Sequence, residues 1–241
     1  MVLAILLALA GPSRDAAARP VATPRALPVN GLGLELGFDP QLMFEARYGR
    51  RLPDLVGEYD LTLEASVGAP LYLFSGIDAF EFTLGAASEI PLHGRFGVTL
   101  ALATSLATTE NTLGRLVAWG LELAVLPGFF AERWFVALNL AWRPTLATRI
   151  EHSDYARDAF DDRYPEGTPS AEQTAGPRDG WYGFPVHRWV VGLVGGYSFG
   201  RRVTLYSGGG IDAMAQDPGY FSYPAIGVLP IYAQLGACVH W

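Results

Sequence analysis

The chain has 241 residues, 50% of them hydrophobic and only 17% charged, with a net charge of −7. That length suits one barrel or one large domain, and a negative balance without a basic patch argues against a nucleic-acid partner. Cys238 is the only cysteine, which excludes a disulfide within the chain and a Cys-rich metal site.

Residues 2–10, VLAILLALA, are followed by Gly11, Pro12 and then Asp15-Ala16-Ala17-Ala18. This reads as a signal peptide over 1–18 with small-residue cleavage near Ala18, although no Lys or Arg precedes the apolar run. Residues 19–30 hold three prolines and read as a linker. Beyond them no apolar run reaches the ~18 residues of a membrane helix, so the hydrophobicity has to be distributed by alternation.

The alternation starts at once. Leu32, Leu34, Leu36 and Phe38 alternate with Gly33, Glu35 and Gly37; after Asp39-Pro40, Leu42, Phe44, Ala46 and Tyr48 alternate with Met43, Glu45 and Arg47. A period of two is the mark of a strand with two unlike faces. Proline cannot donate a ladder bond, so two short strands are expected here, with one long bent strand as the alternative. A turn at 49–54 leads to a strand with Tyr59, Leu61, Leu63, Ala65 and Val67 on one face and Glu58, Asp60, Thr62, Glu64 and Ser66 on the other. Loop 69–78 precedes Phe80, Phe82, Leu84 and Ala86, with Glu81 on the opposite face. A turn near Pro91 precedes Phe96, Val98, Leu100 and Leu102.

After loop 104–114 come Val117, Trp119, Leu121, Leu123 and Val125, opposite Ala118, Gly120, Glu122 and Ala124. Pro127-Gly128 reads as a turn. Trp134, Val136, Leu138, Leu140 and Trp142 then oppose Phe135, Ala137, Asn139, Ala141 and Arg143. Segment 149–186 has no periodicity. Trp189, Val191, Leu193, Gly195, Tyr197 and Phe199 resume it, with Arg188 on the other face. A tight turn at Gly200-Arg201 joins Val203, Leu205, Gly209 and Ile211, a strand diluted by Ser207-Gly208-Gly209-Gly210, which reads as a bend. Asp212 lies on its other face. Loop 214–227 leads to the last strand, where Leu229, Ile231, Ala233, Leu235, Ala237, Val239 and Trp241 form one face. The count is ten strands, or eight if the first pair stays outside the sheet.

The final segment, Gln234-Leu235-Gly236-Ala237-Cys238-Val239-His240-Trp241, resembles the C-terminal insertion signal of Gram-negative outer-membrane β-barrel proteins: polar, any, Gly, any, any, hydrophobic, any, aromatic. Gly236, Val239 and Trp241 carry the match. The alternation over 31–241 extends the resemblance to that class as a whole. It implies an all-β fold, a transmembrane antiparallel up-and-down barrel, in the bacterial outer membrane. The partners it implies are outer-membrane lipids and the barrel assembly machinery.

Three features favour an apolar face turned outward to lipid over one turned inward as in a soluble barrel. No Asp, Glu or Arg falls on it within the strands as read, and an Arg at bilayer mid-depth costs roughly 2–4 kcal/mol. The other face mixes small residues with charges, as a narrow interior requires. The aromatics bracket the strands. Trp134 and Trp142 are eight residues apart, about 21 Å along the membrane normal at ~40° tilt, close to the ~25 Å apolar band. Trp119, Trp134, Trp142, Trp189, Tyr197, Phe199 and Trp241 are the expected girdle. With the C-terminus on the periplasmic side, the short turns are periplasmic and the long loops extracellular.

The predicted lumen charges are Glu35, Glu45, Arg47, Glu58, Asp60, Glu64, Glu81, Glu122, Arg143, Arg188 and Asp212, with His240 near the rim. Carboxylates outnumber arginines eight to three in that set. An ion-pair network filling a narrow interior is the simpler reading; a small cation-preferring pore is the functional one. Asp158, Asp161 and Asp162 in the long segment match no calcium-loop spacing, so no metal and no cofactor is expected. His152-Ser153 invites comparison with lipid A deacylases and outer-membrane phospholipases. Adjacent residues on a strand point to opposite faces, however, so these two cannot pair directly and no enzyme is expected. A surface-binding role through 149–186, toward an unknown extracellular ligand, is the second reading.

Overall fold

The computed structural model describes residues 30–38, 42–56, 59–70, 78–112, 114–163, 179–183, 186–216 and 231–241. The expected signal peptide and all but the last residue of the linker, along with Glu58, lie outside the described residues. The elements are β1 (Asn30–Phe38), β2 (Leu42–Val56), β3 (Tyr59–Pro70), β4 (Asp78–His93), β5 (Phe96–Asn111), β6 (Gly114–Phe130), β7 (Trp134–His152), α1 (Asp154–Arg163), β8 (Gly180–Tyr182), β9 (Val186–Phe199), β10 (Val203–Gln216) and β11 (Ile231–His240).

Ten of these strands close into one antiparallel barrel. Sequential neighbours pair from β1 to β7, then β7 with β9, β9 with β10 and β10 with β11. The ring shuts where β1 meets β11, with Leu34 opposite Ala237 and Leu36 opposite Leu235. Closure leaves no sheet edge unpaired around the ring. The first pair of strands is therefore a hairpin inside the barrel, and ten is the barrel's count. β8 is an eleventh strand, laid on β7 at Thr148–Ile150.

Every barrel strand turns bulky apolar side chains outward. Leu34, Phe44, Val67, Phe82, Leu102, Leu123, Leu138, Leu193, Leu205 and Leu235, one from each, are all exposed. Their neighbours in sequence face inward and are buried, as Glu35, Met43, Glu81, Ala103, Glu122, Ala137, Val194, Tyr206 and Gln234 illustrate. An apolar belt that encircles the molecule far exceeds any patch a water-soluble monomer exposes; hydrocarbon is the solvent that suits it.

Several boundaries differ from the sequence reading, always because a strand runs on. β2 continues through 49–54, β4 through Pro91 and β6 through Pro127-Gly128 to Phe130. Pro127 is tolerated because the β6–β7 register skips from Val125–Leu140 to Gly128–Ala137, so its missing N–H is not called on. The expected loop 104–114 shrinks to two residues, since β5 runs to Asn111 and β6 starts at Gly114. Segment 149–186 is not structureless: it contains the last four residues of β7, all of α1 and β8.

The end bearing Asn30 and Trp241, the turn end, carries tight connections. Gly94 (φ 60°) and Gly200 (φ 67°) supply the left-handed residues of two of them. The opposite end, the mouth, carries the three longest connections, β3–β4, β7–β9 and β10–β11, beside the two-residue β5–β6 link.

Gly208-Gly209-Gly210 is not a bend. The ladder runs through it without interruption on both sides. Of the three, Gly210 lies under a ring, while Gly208 lies under the Gln234 amide and Gly209 meets only backbone. A Cβ on Gly210 would sit 2.9 Å from Tyr232 Cε1, and one on Gly192 2.1 Å from the Tyr232 hydroxyl. Gly236 lies under Tyr206 in the same way and Gly196 under Phe135.

Candidate functional site: the lumen and the mouth

Alternation delivers the ionisable side chains of β1, β2, β6, β7, β9 and β10 to the inside of the barrel, and the narrow interior forces them together. Arg47 Nη2 lies 3.3 Å from Glu35 Oε2 and 3.2 Å from Glu45 Oε1. The Tyr206 hydroxyl donates to Glu35 Oε2 at 2.9 Å, tying β10 to β1 across β11. Farther toward the mouth, Arg143 donates from Nε to Glu122 Oε2 at 3.1 Å, and Arg188 pairs with Asp212. Arg143 Nη1 approaches the same Asp212 at 3.9 Å. Each of these arginines is at least nine-tenths buried. Charges this dry persist only in company, because an isolated one costs several kcal/mol to desolvate.

Asp60 pairs with Arg51. Arg51 was absent from the predicted set because 49–54 read as a turn; with β2 running on, it takes the same face as Arg47. Glu89 joins the inward face of β4 for the same reason. Extending the alternation past Arg50-Arg51 and Ser88-Glu89 is the signal that could have found both. Glu64 lies on the inward face of β3, half-buried, and Glu81 is buried on β4.

An apolar layer shares the lumen with this network. Phe130, Phe135, Leu126, Val190, Val194, Tyr206 and Tyr232 form one cluster with Ala87, Ala101 and Ala124 from the facing wall. Phe135, Val190, Val194 and Tyr232 are each 1% exposed. Asn139 Nδ2 donates to the Tyr232 hydroxyl at 3.4 Å. At the turn end, Ser198, Thr204 and His240 form a hydrogen-bonded chain, with 2.9 Å between the hydroxyls and 3.1 Å from Thr204 Oγ1 to His240 Nε2.

The outward aromatics fall at two levels. Trp134 pairs in register with Tyr197, and Trp142 with Trp189. Trp142 and Trp189 stack at 6.0 Å, and Trp134 stacks on Phe129 at 5.0 Å. Phe199 contacts Tyr197, and Trp241 lies near Tyr48 at the turn end. Trp119 donates from Nε1 to Thr104 Oγ1 at 2.8 Å, and that hydroxyl donates on to the Gly120 carbonyl. This chain satisfies polar groups at a bulge, where the register steps from Trp119–Ala147 to Gly120–Thr145 and leaves Leu146 extra.

The bulge also decides the mouth. It shifts the inward set of β7 from odd to even positions, so Arg143 and Thr145 point in below it while Thr148 and His152 point in above it. Asp179 accepts from the His152 backbone N–H at 2.8 Å, from its Nδ1 at 2.9 Å, and from Arg157 of α1. These donors hold the Asp179 carboxyl well below the usual carboxylate range, at about 2, with the two His152 hydrogen bonds the largest causes. Ser153 caps α1: its Oγ accepts from Ala156 N at 3.2 Å and donates to the Thr112 carbonyl at 2.7 Å. His152 and Ser153 are not brought together. Among the described residues no group of three or more His, Cys, Asp or Glu is placed to hold a metal ion. The side chains of Asp161 and Asp162 lie outside the described residues.

No protein-family model and no curated protein matches the chain. Among solved structures it is similar to the translocator domain of the autotransporter NalP from Neisseria meningitidis. The TM-score is 0.46 and the identity 10%, over 87% of this chain and 85% of that one. The ladder and the exterior stand on their own geometry: the chain is a closed ten-stranded antiparallel barrel with the surface of a transmembrane β-barrel.

Proposed function

We propose that this is an outer-membrane barrel whose role is mainly structural: a filled scaffold that spans the membrane and holds the segment 149–186 outside. One observation carries the reading. Phe135, Tyr206 and Tyr232 are buried to within 2% across the lumen, in one cluster with the alanines of the opposite wall. A wet channel through that layer would leave those rings exposed. Any residual pathway past the acidic side chains would prefer cations. Fractionation with heat-dependent gel mobility tests the membrane placement, and recovery as a detergent-independent soluble monomer would end it. Planar-bilayer recordings test the filled lumen: silence or small cation-preferring steps are expected, and large or anion-selective steps would refute it.

The second reading, surface binding through 149–186, is favoured by the anchoring of α1 and β8. Asp179, Arg157 and Ser153 tie them to the ends of β5, β6 and β7, which makes a fixed platform. Shortening 164–178 should abolish ligand capture while the barrel still assembles. The non-enzymatic reading is supported by Ser153, whose oxygen is engaged in capping. Release of fatty acid from reconstituted membranes, lost in His152→Ala, would overturn it.

A further inference from the structure

The arginines of this barrel divide into two classes. Inside, Arg47, Arg51, Arg143 and Arg188 face carboxylates. At the mouth, Arg149 pairs with Glu151, Arg157 with Asp179, and Arg115 lies in register between Glu110 and Glu151. At the turn end the pattern stops. Arg50, Arg95, Arg133, Arg201 and Arg202 are exposed and form no ion pair among the described residues. Glu132 is the one carboxylate among turn residues 94–95, 131–133 and 200–202; the side chains of Asp54 and Glu58, at the β2–β3 connection, lie outside the described residues.

Three of these arginines, Arg95, Arg133 and Arg202, are held by one repeated backbone device. The Arg95 carbonyl accepts from Phe130 N, the Arg133 carbonyl from Ser198 N, and the Arg202 carbonyl from His240 N, at 2.6–2.8 Å. Each turn is thus pinned to the next hairpin, and Arg50 sits in register with Asn30. Each lies close beyond the lower aromatics: Arg95 beside Phe96, Arg133 beside Trp134, Arg201 two residues past Phe199, Arg50 two past Tyr48. One or two residues is about 3–5 Å along the normal at ~40° tilt. Girdle aromatics sit at the headgroup level. A guanidinium just beyond them, on a stem long enough to snorkel, lies in the plane of the lipid phosphates and matches them bidentately.

We infer that this rim binds the phosphates of anionic glycerophospholipids in the leaflet that the turns face, and so fixes the depth of the barrel. The inference rests on the membrane-spanning reading. An acidic soluble partner would not need its cations level with a girdle; a lipid would.

The full chain is reconstituted into nanodiscs of phosphatidylcholine alone and of phosphatidylcholine with 30% phosphatidylglycerol, and retained lipids are counted by native mass spectrometry. The wild type should retain phosphatidylglycerol preferentially. An Arg50→Gln, Arg95→Gln, Arg133→Gln, Arg201→Gln, Arg202→Gln variant should lose at least about fivefold of that preference, the scale of one engaged arginine. The corresponding Lys variant should keep most of it. Changing Arg115, Arg149 and Arg157 to Gln at the mouth should leave it unchanged. Equal preference in the wild type and the rim variant, or equal loss from the mouth variant, overturns the inference. Insertion into neutral nanodiscs with heat-dependent mobility keeps the membrane reading intact in that event. Failure to insert into any lipid sinks both.

Discussion

The two walls of the lumen are built from different alphabets. From β9 to β11 the inner face beds rings on glycines, Tyr232 over Gly192 and Gly210 and Tyr206 over Gly236, with Phe135 of β7 over Gly196, beside buried Arg188, Asp212 and Gln234. On β4 to β6 it is mostly methyl groups and hydroxyls, Ala87, Ala101, Ala103, Ala107, Ala118 and Ala124 with Thr83 and Thr99, interrupted by Glu81, Glu122, Leu126 and Phe130. Both walls end equally dry. The difference follows from closure, because a ten-stranded ring encloses a fixed volume that side chains have to fill. A ring that fills it must lie flat on its own neighbours, and a flat bed excludes every Cβ. The far wall carries one such ring, Phe130, 3.4 Å from where a Cβ on Gly97 would lie; its alanine methyl groups complete the filling.

The widest way to break the contrast is to remove the rings. Phe135→Ala and Tyr232→Ala should each cost about 3–5 kcal/mol in urea unfolding from vesicles, and together open cation-preferring conductance. Ala101→Gly on the facing wall should cost about 1 kcal/mol and leave the bilayer silent. Equal effects from the two walls would dissolve the distinction.

Charge sharpens it next. Arg47→Met strands Glu35 and Glu45 in the lumen and should cost about 3–5 kcal/mol. Arg51→Met, in the more open pair with Asp60, should cost about 1 kcal/mol in the same assay. A smaller effect comes from the beds themselves. A Cβ on Gly210 would meet the Val191 carbonyl at 2.2 Å, whereas on Gly33 its nearest contact is 3.6 Å. Gly210→Ala should lower stability by about 1–3 kcal/mol and slow the appearance of the heat-modifiable band; Gly33→Ala should fold as the wild type does.

The smallest effect lies at the mouth. The folded Asp179 carboxyl titrates at about 2, below its ordinary 3.8. Its contribution is therefore fully present above that ordinary value and is lost as pH falls through about 2. Protection of the His152 amide from hydrogen exchange should persist at pH 4, and Asp179→Asn should weaken it at every pH. Loss of protection already near pH 5 would mean that another group holds the latch.

Much of this was legible in the residues taken one after another. A period of two through Leu32–Phe38, Trp134–Trp142 and Ile231–Trp241 dictates strands with an apolar face, because successive Cβ atoms on an extended chain point oppositely. The absence of charge from that face carries the transmembrane surface, since charge at mid-bilayer is costly. Tertiary structure alone decided the rest. Whether Arg51 sits in a turn or in the lumen depends on how far β3 pairs with β2, and pairing is a property of two segments. The Leu146 bulge turns His152 inward by shifting register against β6, which no local pattern encodes. Gly208-Gly209-Gly210 reads as weakness until the side chains of the next strand are laid across it, Gln234 on Gly208 and Tyr232 on Gly210. The sequence by itself could state each strand's two faces; only the closed ring could say which side chain would need the space that a glycine leaves.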